Sequence, residues 1–102
     1  MYAVIFRSTR TTHSQELYKE HSAKMDYLVS GIKGYISHHS QRDPITREGI
    51  TISYFESLEA IKQWREHPEH LETQELGKKL FYEKYEVKVV KVERKYEWSR
   101  QV

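Results

Sequence analysis

The sequence has no cysteine and no asparagine, and only two prolines and four glycines among 102 residues. Without cysteine there can be no disulfide scaffold, no thiolate metal site and no thiol nucleophile, and the absence fits a cytoplasmic protein. Long apolar runs are missing too. None approaches the roughly 18 residues a bilayer span needs, and mean hydropathy is −0.85. The N-terminus has no charged-then-apolar secretion signal, so no membrane is expected as a partner. Neither sign of charge dominates: 17 Lys and Arg face 15 Asp and Glu, a net charge of +2. The signs interleave, as in Glu93, Arg94, Lys95 and Glu97, which describes a solvated surface and not a nucleic-acid footprint. Dinucleotide, zinc-protease and nucleophile-elbow motifs are absent. His67 and His70 form an H-x-x-H pair, but Pro68 intervenes at a helix start and no third ligand is evident.

What the chain does have is aromatic residues: eight Tyr, two Trp and three Phe, 13% of the sequence. Such an excess builds cores, and it also lines pockets for flat ligands. The length allows one domain spanning residues 1–102. A chain of this size buries only about 60–70% of its unfolded surface, so its core is thin and a second copy would help it.

Hydrophobic periodicity orders the elements. Tyr2 to Phe6 is apolar on both faces, as a covered central strand requires; Arg7 is the first polar intrusion. Thr12 and Gln15 have capping-box spacing, and Leu17, His21, Met25 and Leu28 form one stripe of a helix from about Ser14 to Ser30. Gly34 to Arg42 reads as a polar edge strand, pairing in a hairpin with Ile50 to Phe55. Adjacent His38 and His39 point to opposite faces of that strand. Ser57 caps a short helix carrying Ile61 and Trp64. A break is expected near His67, with a second helical piece from Pro68 to about Leu80. Projected at 100° per residue, that piece puts His70, Thr73, Gln74, Gly77, Leu80 and Phe81 inward and Glu72, Glu75, Lys78 and Lys79 outward. The inward set is too polar for simple core. Either its groups are paired in place or they line a cavity.

The last segment alternates Tyr85, Val87 and Val89 with charged residues, then shifts phase to Val90, Val92, Tyr96 and Trp98. The shift predicts a β-bulge at Val89-Val90 in one strand of about 15 residues. Such a strand overhangs its sheet, and its apolar side needs a second copy of the chain to cover it. The order strand, helix, strand, strand, helix, strand predicts an α+β, ferredoxin-like βαββαβ fold with a four-stranded antiparallel sheet. The RNA-recognition fold shares this order, but Ile50 to Phe55 carries no basic residue.

Ser53 to Trp64, followed by His67-Pro68-Glu69-His70, Gln74, Gly77, Tyr82, Tyr85 and Val87 to Tyr96, resembles antibiotic biosynthesis monooxygenase domains. The N-terminal strand and Gly34-Tyr35 fit as well, so the resemblance covers nearly the whole chain. It implies a homodimeric α/β barrel with a pocket between each subunit's helices and sheet. The family includes cofactor-independent oxygenases of quinol-type aromatics and haem-degrading enzymes. The pocket Trp of the haem-degrading branch falls on Trp64, but its ligating His falls on Gln74, and its first-strand Asn has no counterpart near Arg7. The resemblance therefore implies no cofactor, haem included; His70 could serve only a shifted haem.

A cofactor-free oxygenase must bind a flat aromatic, remove a proton, stabilise the anion and exclude water. His70 or His21 could take the proton. Arg7 could hold the anionic oxygen with Gln74 donating to it, while Trp64, Tyr54, Phe55 and Phe81 could form aromatic walls. Each has a plainer reading. Trp64 can be a core plug, His21 a satisfied core histidine, His70 a cap, and Arg7 the end of its strand. Arg94, between Val92 and Tyr96, could make a cross-subunit contact or reach the pocket.

Overall fold

Strand β1, Tyr2–Arg10, is the spine of the computed structural model, which describes residues 1–101. It is followed by α1 (Gln15–Val29), β2 (Tyr35–Arg42), β3 (Glu48–Phe55), α2 (Leu58–Arg65), α3 (Pro68–Leu76), a π-helical turn (Gly77–Phe81) and β4 (Tyr82–Lys91). All pairs are antiparallel and the sheet order is β2-β3-β1-β4. This is the expected α+β, ferredoxin-like arrangement, with helices on one face. β1 lies between β3 and β4, which agrees with its apolar character on both sides, and polar β2 is an edge. Among the described residues no helix is long and apolar enough to cross a membrane.

The helical half follows its local signals. Ser57 Oγ accepts the Ala60 amide at 3.1 Å, capping α2. His67 Nδ1 accepts the Glu69 amide at 3.2 Å, and Pro68 occupies the first turn of α3. The capping box expected at Thr12 and Gln15 does not form. Ser14 is the N-cap of α1, at φ 62 and with no side-chain cap bond. Gln15 instead turns its amide oxygen to Arg10 Nη2, 3.0 Å away. A buried guanidinium with several donors to satisfy outcompetes a cap that water can replace.

The last strand departs most from expectation. Its pairing with β1 is continuous from Thr9↔Lys84 to Tyr2↔Lys91, so Val89-Val90 is not a bulge; the irregularity lies at Thr9/Arg10. The phase shift in the sequence marks a change of apolar face. Tyr85, Val87 and Val89 point toward the helices, while Val90 sits beside Ala3 on the opposite face. The strand also stops at Lys91. β1 begins at Tyr2, so after the Val92 amide reaches the Met1 carbonyl at 3.0 Å no neighbouring backbone remains. Residues 92–101 are not strand within one protomer, and Tyr96 and Trp98 are 83% and 73% exposed.

The apolar core is small and lies at one end. Val29, Phe55, Ala60 and Ile61 are buried, with Tyr2, Val4, Ile32, Tyr35 and Trp64 packed around them. At the other end Tyr18 of α1 packs edge-on against Phe81 and Tyr82.

Candidate functional site

Between sheet and helices lies a cavity of about 630 Å³. Tyr85, Val87 and Val89 along its β4 side are each more than a third exposed, so the cavity opens to solvent there. Its sheet wall is Val4, Phe6, Thr51, Ser53, Phe55 and Val87; the opposite wall comes from α1, α2, α3 and the π turn.

His70 is held firmly in that wall. Its ring stacks on Trp64 with centroids 4.1 Å apart and planes 14° apart. His70 Nδ1 lies 3.0 Å from the Trp64 carbonyl. A carbonyl only accepts, so Nδ1 carries the proton and Nε2 keeps its lone pair. No buried side-chain nitrogen or oxygen among the described residues lacks a partner, so Nε2, which has none, is accessible, on a residue that lines the cavity. Burial lowers the His70 pKa below its ordinary value; His67 acts in the same sense, and the bond to the Trp64 carbonyl opposes them. At neutral pH the ring is an uncharged base with its accepting nitrogen free.

The other expected residues divide between two places. Trp64, His21, Gln74, Phe55 and Phe81 line the cavity with His70. His21 Nδ1 lies 2.9 Å from Thr73 Oγ1, which ties α1 to α3. Gln74 Nε2 donates to the Arg65 carbonyl at 3.3 Å, leaving its oxygen free. Phe55 and Phe81 are each only 1% exposed and serve as both wall and core. Arg7 and Tyr54 are elsewhere. Strand alternation sends Val4 and Phe6 into the cavity and Arg7 to the outer face, exposed and opposite Glu86. Tyr54 pairs with Ala3 on that same outer face. Neither reaches the cavity, which corrects the expectation for both.

Several residues at the site were not anticipated. At the end remote from the core, Tyr18, Tyr82, Tyr85 and Phe6 form an aromatic cluster, with Phe6–Tyr82 centroids 5.4 Å apart. Gly77 makes room for it: a Cβ there would lie 3.1 Å from the Tyr82 ring. Burial, aided by Tyr18, pushes the Tyr82 phenol well above its ordinary value, so it remains an O–H donor. Arg10 lies behind the cluster, 3.9 Å above the Tyr18 ring, and Arg42 lines the cavity beside it. At the mouth, His38 bridges Tyr35 OH at 2.7 Å and Asp26 Oδ1 at 3.2 Å, joining β2 to α1. Strand parity was the available signal: Phe6, Ser8 and Arg10 share a face, as do His38, Ser40 and Arg42.

A sequence profile described as antibiotic biosynthesis monooxygenase matches residues 1–76. The chain belongs to the antibiotic biosynthesis monooxygenase family. Among its relatives is the uncharacterized protein YqjZ of Bacillus subtilis, 40% identical over 93 residues that span 91% of this chain and 80% of YqjZ. The fold of the family recurs in Rv0793 from Mycobacterium tuberculosis, at a TM-score of 0.81 and 17% identity, covering 94% of this chain and 98% of that one. It recurs in SnoaB, a cofactor-independent oxygenase from Streptomyces nogalater, at 0.76 and 13%, covering 92% and 94%. At such identities these structures speak for the fold alone.

Proposed function

We propose that this family member is a cofactor-independent monooxygenase of a flat aromatic or quinol-like small molecule, working as a homodimer. The observation that carries the reading is the accepting nitrogen of His70, neutral and unpartnered, beside Trp64 in a roomy cavity. An activated ring CH2 flanked by aromatic carbonyl or hydroxyl groups lies against Trp64 and gives a proton to His70 Nε2. The resulting carbanion is electron-rich enough to reduce O₂ directly. The balance is CH2 plus O₂ giving C=O plus water, with the substrate as the only reductant. Aromatic walls orient the ring system and limit water, which strengthens electrostatic stabilisation of the anion.

The outer sheet face supports the dimer. Ile5, Ile52, Tyr54 and Val90 stand together there, and Ile50 and Val90 are exposed. Residues 92–101 leave the sheet from this region with Tyr96 and Trp98 uncovered. A second sheet packed on this face would cover both.

Oxygen consumption with anthrone and naphthoquinol probes tests the reading. Expected is turnover by the wild type, lost by about 10²–10⁴-fold in His70→Gln, the usual worth of a general base, with the variant still folded. Turnover that survives His70→Gln and Trp64→Ala overturns the site. Binding of the probes without oxygen uptake would favour a non-catalytic binding role for the same cavity.

A further inference from the structure

The cavity is electrically lopsided. Asp26 is the only carboxylate among its lining residues, and His38 engages it at the mouth. Two guanidiniums, Arg42 and Arg65, also line it; Arg65 is exposed at the rim, whereas Arg42 is half-buried at the aromatic end. Arg10, 2% exposed, lies behind Tyr18 at the same end. Among the described residues no carboxylate is within ion-pair distance of Arg10 or Arg42, and nearby Glu83 is committed to Arg47 at 3.3 Å. Two cations share one end of the cavity with no counter-charge.

Arg42 has donors to spare, in a particular arrangement. Nη1 and Nη2 both reach Ser8, at its carbonyl (3.3 Å) and hydroxyl (2.8 Å), so Ser8 takes the end of the guanidinium fork. The remaining Nη1 hydrogen goes to the Arg47 carbonyl at 2.7 Å. Five N–H groups less these three leave Nε–H and one Nη2–H, the parallel pair along the side of the fork that matches a carboxylate. Nε has no partner, and among the described residues no buried side-chain nitrogen lacks one, so Nε is accessible. It is also fixed in place: the plane lies over the β3 backbone so closely that a Cβ on Gly49 would be 2.5 Å from Arg42 Cζ. Tyr82 lines the same cavity, its ring 6.1 Å from that of Tyr18 and edge-on to it.

We infer that the cavity takes an acidic aromatic ligand, its carboxylate seated on the Nε/Nη2 edge of Arg42 beside the Tyr82 hydroxyl and its ring system extending toward Trp64 and His70. This deepens the proposed oxygenase reading and rests on it, since a carboxylate fixed at one end decides which ring carbon meets His70 Nε2. Arg42 and Tyr82 are then specificity-determining groups and Arg10 a positioning residue behind Tyr18.

The test is calorimetric titration of the full chain with anthracene-2-carboxylate and with its neutral carboxamide. Expected is roughly tenfold tighter binding of the acid, about 1.4 kcal/mol. The preference should fall to about twofold or less in Arg42→Gln. In Tyr82→Phe, which removes one hydroxyl and leaves the packing, acid binding should weaken roughly threefold with amide binding unchanged. Arg42→Lys keeps the charge without the fork and should lose most of the preference even if Arg42→Gln folds poorly. Equal affinities in the wild type, or a preference that persists in Arg42→Lys and Tyr82→Phe, overturns the anion end while leaving the cavity reading intact. Absence of binding by either compound, or affinities unmoved by Trp64→Ala, overturns the cavity reading itself.

Discussion

Replacing Arg10 by Met keeps the side chain's length and removes its charge and donors, so it isolates what this arginine contributes. The Arg10 side chain is 2% exposed and joins three elements. Nη1 donates to the Phe81 carbonyl at 2.7 Å, at the end of the π turn. Nη2 donates to Gln15 Oε1 at 3.0 Å, at the start of α1, and the guanidinium covers the Tyr18 ring. The Phe81 carbonyl keeps the Thr11 amide at 2.8 Å and Gln15 is exposed to water, so the loss is that of two charge-assisted bonds, about 1.5–3 kcal/mol each, and the lost cation–π contact adds about 1–2 kcal/mol. Against this stands the relief of no longer burying a charge that has no carboxylate partner, worth several kcal/mol. The balance is a loss of about 3 kcal/mol, a large share of an ordinary domain's roughly 5–15 kcal/mol. Urea unfolding at fixed protein concentration reads it. With slopes of about 1–3 kcal/mol/M the midpoint should fall by roughly 1–3 M at unchanged slope. Arg10→Lys, retaining charge without the fork, should fall between. A midpoint for Arg10→Met at or above wild type would refute the reasoning, because charge burial would then outweigh every bond the guanidinium makes.

Four more outcomes follow from the same geometry. Trp64→Ala should lower stability by about 2–4 kcal/mol, from lost packing and the His70 stack. In the same variant the NMR-measured His70 pKa should rise toward the ordinary histidine value as water reaches the ring; an unmoved pKa would contradict burial as its cause. His70 also links stability to pH. Its native pKa is depressed, so the neutral ring favours folding fully above the unfolded value of about 6.5, and that contribution is lost as pH falls from there through the native pKa. The stability difference between wild type and His70→Gln should therefore narrow on acidification from pH 7 to pH 5; a constant gap would count against it. Truncation after Lys91 should leave a monomer by sedimentation at micromolar concentration, and a truncated dimer would place the interface elsewhere.

Element order was legible because local signals and periodicity agreed. Ser57 capping α2, Pro68 opening α3 and the polar edge of β2 each rest on backbone chemistry that tertiary context does not reverse. Strand length was less legible. β4 stops where β1 has no further residue to offer, and that depends on pairing register and not on the composition of Val92 to Trp98. Facing was the other difficulty. Ile50, Ile52 and Tyr54 alternate with Thr51, Ser53 and Phe55, and the apolar set would ordinarily face the helices. Here Thr51 and Ser53 line the cavity, while Ile52 and Tyr54 lie outside. Adjacent Tyr54 and Phe55 cannot both face the helices, and in that inversion it is Phe55 that turns inward. Arg10 escaped notice because the apolar run ends at Phe6, although its strand continues for four more residues.

The inversion also explains why the site and the proposed dimer belong together. A ferredoxin-like sheet normally puts its most apolar face under the helices and draws its stability from there. This sheet gives part of that face to Thr51, Ser53, His38 and Arg42, which keeps the space between layers wet and polar enough to hold a ligand. The apolar residues released from the inside, Ile5, Ile50, Ile52 and Val90, appear on the outside. Burying them against a second copy, at about 25 cal/mol per Å², restores driving force that the hollow interior forgoes. Substitutions of that outer face, such as Ile52→Thr, should therefore weaken ligand binding without touching the ligand, because they remove driving force that supports the hollow layer. Ile52→Thr protein that is monomeric yet binds the anthracene probes with wild-type affinity would break this connection.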